Sequence, residues 1–183
     1  DLLETSRRTE EPVKRQHVLA EVNLLLEAEL GDVVKVNLPA HSPKDIIGSE
    51  ATTAILRSIF QRCDNPETAV SAVLVSGPNG GGKTFQMEAF AAESGRIVME
   101  LTGLRGMWYG QTDKLFGRLR WHITTYGKVL ILVDEAHTAF GSVHRSDTHE
   151  TERRLAGNII KMMGDPRFRG KVLWALMTSR PDE

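Results

Sequence analysis

Cysteine occurs once, at Cys63. A single thiol excludes an internal disulfide framework and a zinc site built of cysteines alone. It also makes a reducing, intracellular compartment the expected one. An excess of charge of one sign is missing too: 23 Lys and Arg stand against 24 Asp and Glu, a formal net charge of −1. Nothing global draws such a chain to nucleic acid or anionic lipid; only a local basic patch would. No apolar run approaches the roughly 18 residues of a membrane-spanning helix, and the first residues do not read as a signal peptide. What remains is 40% hydrophobic and 26% charged over 183 residues, a globular balance that excludes wholesale disorder. The length suits one domain, or one domain with a short appendage, and suffices for a real core. The chain starts at Asp1 and stops at Glu183 just after an expected strand, so it reads as part of a longer polypeptide.

The order of elements follows from periodicity. Residues 1–15 are polar and charged. Val18, Leu19, Val22, Leu25, Leu26 and Leu30 recur at helical spacing over Gln16–Leu30, and Gly31 stops that helix. Val34, Val36 and Leu38 alternate as in a short strand, and Pro39–Pro43 reads as a linker. The division falls there: residues 1–42 form an N-terminal helix and linker segment, and 43–183 the main domain. Within the main domain helices are expected over Ser49–Arg62, Lys83–Glu93, Asp113–Thr125 and Thr148–Met163. In the first of these, Ala54, Ile55, Ile59 and Phe60 are the expected core face. Strands are expected over Ala69–Ser76, Arg96–Leu101, Lys128–Val133 and Lys171–Met177. Strands alternating with helices at this rhythm predict an α/β fold, a mostly parallel sheet with helices on both faces.

Two stretches carry chemistry. Gly77-Pro-Asn-Gly-Gly-Gly-Lys83-Thr84 fits G-x-x-x-x-G-K-[ST] and lies between an expected strand and an expected helix. Its glycines let backbone N–H groups wrap around phosphates, and the following helix offers its positive end. Lys83 would reach the outer phosphates of a nucleotide, and the Thr84 hydroxyl would hold Mg²⁺. Lys128-Val-Leu-Ile-Leu-Val-Asp134-Glu135 is a hydrophobic strand that delivers two carboxylates at its C-terminal end, where open parallel sheets bind ligands. Asp134 is placed to support Mg²⁺, and Glu135 to polarise the water that attacks the γ-phosphate.

With these motifs the sequence resembles the AAA+ ATPases, and more narrowly the AAA clade of protein-remodelling ATPases, over about Lys44 to Asp182. The resemblance implies a P-loop NTPase three-layer sandwich. Gly77–Thr84 then corresponds to the Walker A loop and Val129–Glu135 to Walker B. Asp45, Ile47 and Gly48 match the family's adenine-contacting entry segment, with Ile47 where Gly or Ala is common. Pro78, Asn79, Gly80, Gly81, Gly82, Lys83, Thr84 and Phe85 complete the implied nucleotide site. Thr84 and Asp134 are the implied Mg²⁺ residues, and Glu135, Lys83 and Ser179 the implied catalytic ones. Ser179 stands in Met177-Thr-Ser-Arg-Pro-Asp182 where the family's sensor 1 has Asn, with a shorter reach and only a hydroxyl. Trp108, Tyr109 and Gly110 resemble the first pore loop, which grips an extended polypeptide. ATP and Mg²⁺ are the implied cofactors. The implied partners are further copies in a ring, a hexamer in the family, and a polypeptide substrate or adaptor. The implied setting is cytoplasmic. The family's lid, fifth strand and arginine finger are expected beyond Glu183. The strand at 69–76 would then show an open edge, unless Val34–Leu38 covers it.

Three rivals compete with this reading. Asp134-Glu-Ala-His137 also occurs in DEAH-type helicases. The short separation of Lys83 from Asp134, the ending of the last strand and the Trp108-Tyr109-Gly110 loop weigh against that. An AAA+ nucleic-acid loader should favour basic over aromatic channel residues; Arg105, Arg118, Arg120 and Arg145 leave it open, but the net charge gives it no support. A nucleotide-gated scaffold with little turnover is disfavoured by the presence of Glu135 and mildly favoured by Ser179. His144 and His149 lack the spacing of a metal site.

Overall fold

The helical and strand periods resolve into five α-helices and five strands among the residues that the computed structural model describes, 14–39, 41–102, 112–137 and 150–180. In chain order these are α1 (Arg15–Leu30), β1 (Val34–Asn37), α2 (Glu50–Arg62), β2 (Ala72–Ser76), α3 (Lys83–Glu93) and β3 (Ile97–Leu101). There follow α4 (Thr112–Tyr126), β4 (Val129–Val133), α5 (Glu150–Met163) and β5 (Val172–Thr178). The sheet runs β1-β3-β4-β5-β2. Strands β3, β4, β5 and β2 are parallel, and β1 is antiparallel to β3.

Each face of the sheet is covered by helices, which makes the three layers expected of the fold. On one face Leu56 and Phe60 of α2 and Met87 and Phe90 of α3 pack on Val98, Leu130, Leu132 and Leu173. On the other, Leu26 and Leu30 of α1, Leu119 and Ile123 of α4, and Ile159 and Met162 of α5 pack on Met99, Ile131, Val133 and Trp174. The central strand β4 is buried at every position, which is why its sequence is continuously apolar rather than alternating.

Two expectations are corrected and one open alternative is decided. Helix α2 turns Leu56 and Phe60 inward, four residues apart, and leaves Ile55 61% exposed. Strand β2 begins at Ala72, not Ala69, because the Ala69 N–H is spent on a turn, bonding to Asn65 O at 2.8 Å. Strand β1 does not cover β2. It pairs with β3 at the other end of the sheet, in the register Val34↔Leu101 to Asn37↔Val98. The cause is α1: Leu26 and Leu30 seat it over α4, and only three residues, Gly31–Val33, join it to β1. At the opposite edge β2 has no outer neighbour among the described residues, and Leu74 is 63% exposed there.

Candidate nucleotide-binding site

Strands β2 and β4 flank β5 and run parallel to it, so the loops after β2, β4 and β5 emerge at one end of the sheet. The ends of β2 and β4 stand two strand spacings apart, about 10 Å. That gap suits a triphosphate between the glycine loop and the two carboxylates.

The glycine loop is shaped by positive φ angles. Gly82, at the N-cap of α3, has φ +74°, a left-handed conformation that a side chain disfavours. A Cβ on Gly81 would lie 3.0 Å from the Pro78 carbonyl oxygen, so an alanine there would require the loop backbone to give by a few tenths of an ångström. Pro78, Asn79, Gly80 and Gly81 are exposed. The Lys83 amine turns back over the loop and donates to Gly77 O at 2.9 Å and Pro78 O at 3.0 Å. Thr84, in the first turn of α3, points its hydroxyl at Met177 Sδ of β5, 3.7 Å away. Sulfur is a weak acceptor, so that hydroxyl is cheaply released to a harder partner.

The carboxylates sit at the end of β4. Asp134 Oδ1 accepts the Glu135 N–H at 2.8 Å, and both residues are exposed. Glu135 has φ +48°, the one positive φ of a non-glycine residue among the described residues. Backbone held in that region is strained and is found where a side chain must be aimed. Thr84 and Asp134 together supply hard oxygen donors of the kind Mg²⁺ prefers, so the residues present fit that ion.

The entry segment reaches α3 from the β1 side. Ser42 N–H donates to Asp45 Oδ2 at 2.8 Å, closing a capped 3-10 turn over Pro43–Asp45, with Pro43 buried. Ile46 packs into the core beside α3, whereas Ile47 is 92% exposed and Gly48 has φ +80°. Phe85 lies against the ring of His41, centroids 4.6 Å apart, a contact that nothing in the motifs announces. Ser179 is half-buried just past β5. Trp108, Tyr109 and Gly110 lie outside the described residues, as do His144 and His149.

Sequence reasoning missed Thr178. It is 3% exposed, and it touches all three loops. Its carbonyl accepts the Gly77 N–H at 3.1 Å, and its hydroxyl lies 3.0 Å from His137 Nδ1 and accepts the Arg180 N–H at 2.9 Å. A threonine closing an otherwise apolar strand, Val172–Thr178, was the available signal.

The profile of the "ATPase family associated with various cellular activities (AAA)" matches residues 73–183, more than half of the chain. An ATPase family gene 2 protein of Schizosaccharomyces pombe is 29% identical over 145 residues, 74% of this chain and 18% of that protein. A katanin p60 ATPase-containing protein of Otolemur garnettii is 30% identical over 151 residues, 76% of this chain and 30% of that one. A cell division cycle protein 48 homolog of Archaeoglobus fulgidus is 24% identical over 167 residues, 86% of this chain and 23% of the relative. The chain therefore spans less than a third of the length of these relatives.

Proposed function

The chain belongs to the AAA family of ATPases, and from that premise we propose that it binds ATP with Mg²⁺, hydrolyses it and couples hydrolysis to polypeptide remodelling. The observation that carries the proposal is the shared sheet end. It sets Lys83 and Thr84 across β5 from Asp134 and Glu135. Lys83 exchanges two carbonyl partners for phosphate oxygens and offsets their charge. The loop N–H groups and the first turn of α3 cradle the phosphates. Thr84 and Asp134 would hold Mg²⁺, which would offset phosphate charge when bound. Glu135 orients the water for in-line attack, and Ser179 senses the γ-phosphate with a hydroxyl in place of an amide. The work is positioning and electrostatics rather than covalent chemistry.

The larger assembly belongs to the same reading. Copies of the chain form a ring, a hexamer by family resemblance. Trp108, Tyr109 and Gly110 face its channel and grip an extended polypeptide. Residues 43–183 form the ATPase subdomain, and α1 with β1 is an extension built onto the sheet. A cytoplasmic setting fits the buried lone thiol, and no helix among the described residues is long and apolar enough to cross a membrane.

The test is ATP turnover per protomer against protein concentration, with Glu135→Gln and Trp108→Ala as variants. Turnover should rise with concentration as the ring completes its sites. It should fall at least about 100-fold in Glu135→Gln with nucleotide binding retained. Trp108→Ala should keep ATP binding and lose substrate-dependent work. Normal turnover in Glu135→Gln would refute the catalytic assignment, and normal remodelling in Trp108→Ala the channel assignment.

A further inference from the structure

Resting on the hydrolytic reading above, we infer that the His137–Thr178 pair is a positioning contact for hydrolysis, fixing the turn that carries Glu135 against the phosphate-binding loop. Glu135 lies in the turn after β4 and His137 follows two residues on, where the backbone becomes helical, so whatever holds His137 limits where the Glu135 carboxylate points. Thr178 holds it, with Oγ1 and His137 Nδ1 3.0 Å apart. Thr178 is itself a fixed point, buried and in register with Ser76, its carbonyl bonded to Gly77 N–H at the start of the glycine loop. The same hydroxyl accepts the Arg180 N–H, one residue past the γ-phosphate sensor Ser179. One side chain thus ties the loop that binds phosphate, the turn that positions water and the segment that senses the γ-phosphate.

The contact forms with either imidazole tautomer, because Thr178 Oγ1 keeps a second lone pair that can accept an Nδ1–H. With one lone pair taken by Arg180 N–H, the Thr178 hydroxyl still has its hydrogen to donate, and Nδ1 accepts it when the imidazole carries its proton on Nε2. Neither residue touches the nucleotide in this role. Both act through Glu135, which already sits at a strained φ of +48° and needs an outside restraint to stay there.

The experiment compares kcat, KM and nucleotide affinity in the full-length protein. The variants are His137→Ala, His137→Asn, His137→Gln, Thr178→Val and Thr178→Ser. Loss of the contact should lower kcat by about 10- to 100-fold, the scale of a roughly 1 Å misplacement, with nucleotide affinity within about twofold of wild type. Thr178→Ser keeps the hydroxyl, and His137→Asn places an acceptor where Nδ1 was, so both should recover most of kcat. His137→Gln places its amide where Nε2 was and should not. The double variant His137→Ala/Thr178→Val should be no slower than either single one, because both remove the same contact. Unchanged kcat in His137→Ala, additive losses in the double variant, or affinity that falls as far as kcat would each overturn the pair. Those results leave wild-type hydrolysis intact. A wild type that binds ATP without turning it over overturns the parent reading instead, and the pair's role with it.

Discussion

The Glu88 carboxyl, in the middle of α3, is held above the ordinary glutamate range. Burial is the main cause, the negative charge of Glu100 adds to it, and His41 opposes it. A raised acid pKa means that the folded chain binds this proton more tightly than the unfolded chain does. The contribution to stability is therefore fully present below the unfolded value, about 4.3, and is lost as pH rises through the folded one. Glu88→Gln removes the ionised form, so it should melt above wild type at pH 7.5, with the gain vanishing near pH 4. Thermal melts at both pH values check this, and an equal difference at the two would refute it. The positions of the candidate site residues were legible at this same scale because the motif residues are spaced along the chain. Lys83, Thr84, Asp134 and Glu135 fall where their motifs put them. Thr178 did not announce itself, because its partners Gly77 and His137 are distant in sequence and meet it only once β2, β5 and β4 are neighbours. The contact of Phe85 with His41 was hidden for the same reason.

Helix α3 was readable to the residue, Lys83–Glu93, because a glycine run starts it and Ser94-Gly95 ends it. Strand β4 was readable because burial on two faces leaves an uninterrupted apolar run. The place of β1 was not, since alternation gives a strand two faces but not a neighbour. The structure also manages its outer edge in a way that no pattern encodes. Asn23 of α1 donates from Nδ2 to Val36 O at 2.9 Å and accepts the Val36 N–H on Oδ1 at 2.8 Å. One amide side chain imitates the strand that would otherwise pair with β1, and so protects an edge open to association. Asn23→Ala should strip both partners from Val36 and cost about 1–3 kcal/mol in urea unfolding. It should also promote self-association, seen as a concentration-dependent rise in scattering mass. A variant as stable and as dispersed as wild type would show that the edge needs no such cover.

The two ends of the sheet divide the molecule's tasks. At the C-terminal end the groups assigned to chemistry are loosely held: Asp134 and Glu135 are exposed and Lys83 rests on two carbonyls. At the N-terminal end charge is locked away. The Arg96 side chain is fully buried just before β3, and its Nη2 donates to Asp64 Oδ1 at 2.8 Å. Its Nη1 donates to Lys171 O at 2.7 Å, and the Lys128 amine closes on Asp64 Oδ2. The end of α2 and the starts of β3, β4 and β5 are thereby tied through the Asp64 carboxylate and the Arg96 guanidinium. The two partners are not equivalent. Asp64→Ala leaves a buried guanidinium short of its counter-charge, the costly way to break such a pair. Arg96→Met replaces the buried cation by an apolar chain of similar length and leaves Asp64, already half-exposed, to Lys128 and water. Asp64→Ala should therefore lose about 2–4 kcal/mol in urea unfolding, and Arg96→Met clearly less. Nucleotide affinity of the folded fraction should stay at the wild-type value in both, because the site lies at the far end of the same strands. Equal losses in the two variants would mean that the network acts through packing rather than charge. A change in nucleotide affinity at constant folded fraction would mean that the two ends of the sheet are coupled after all.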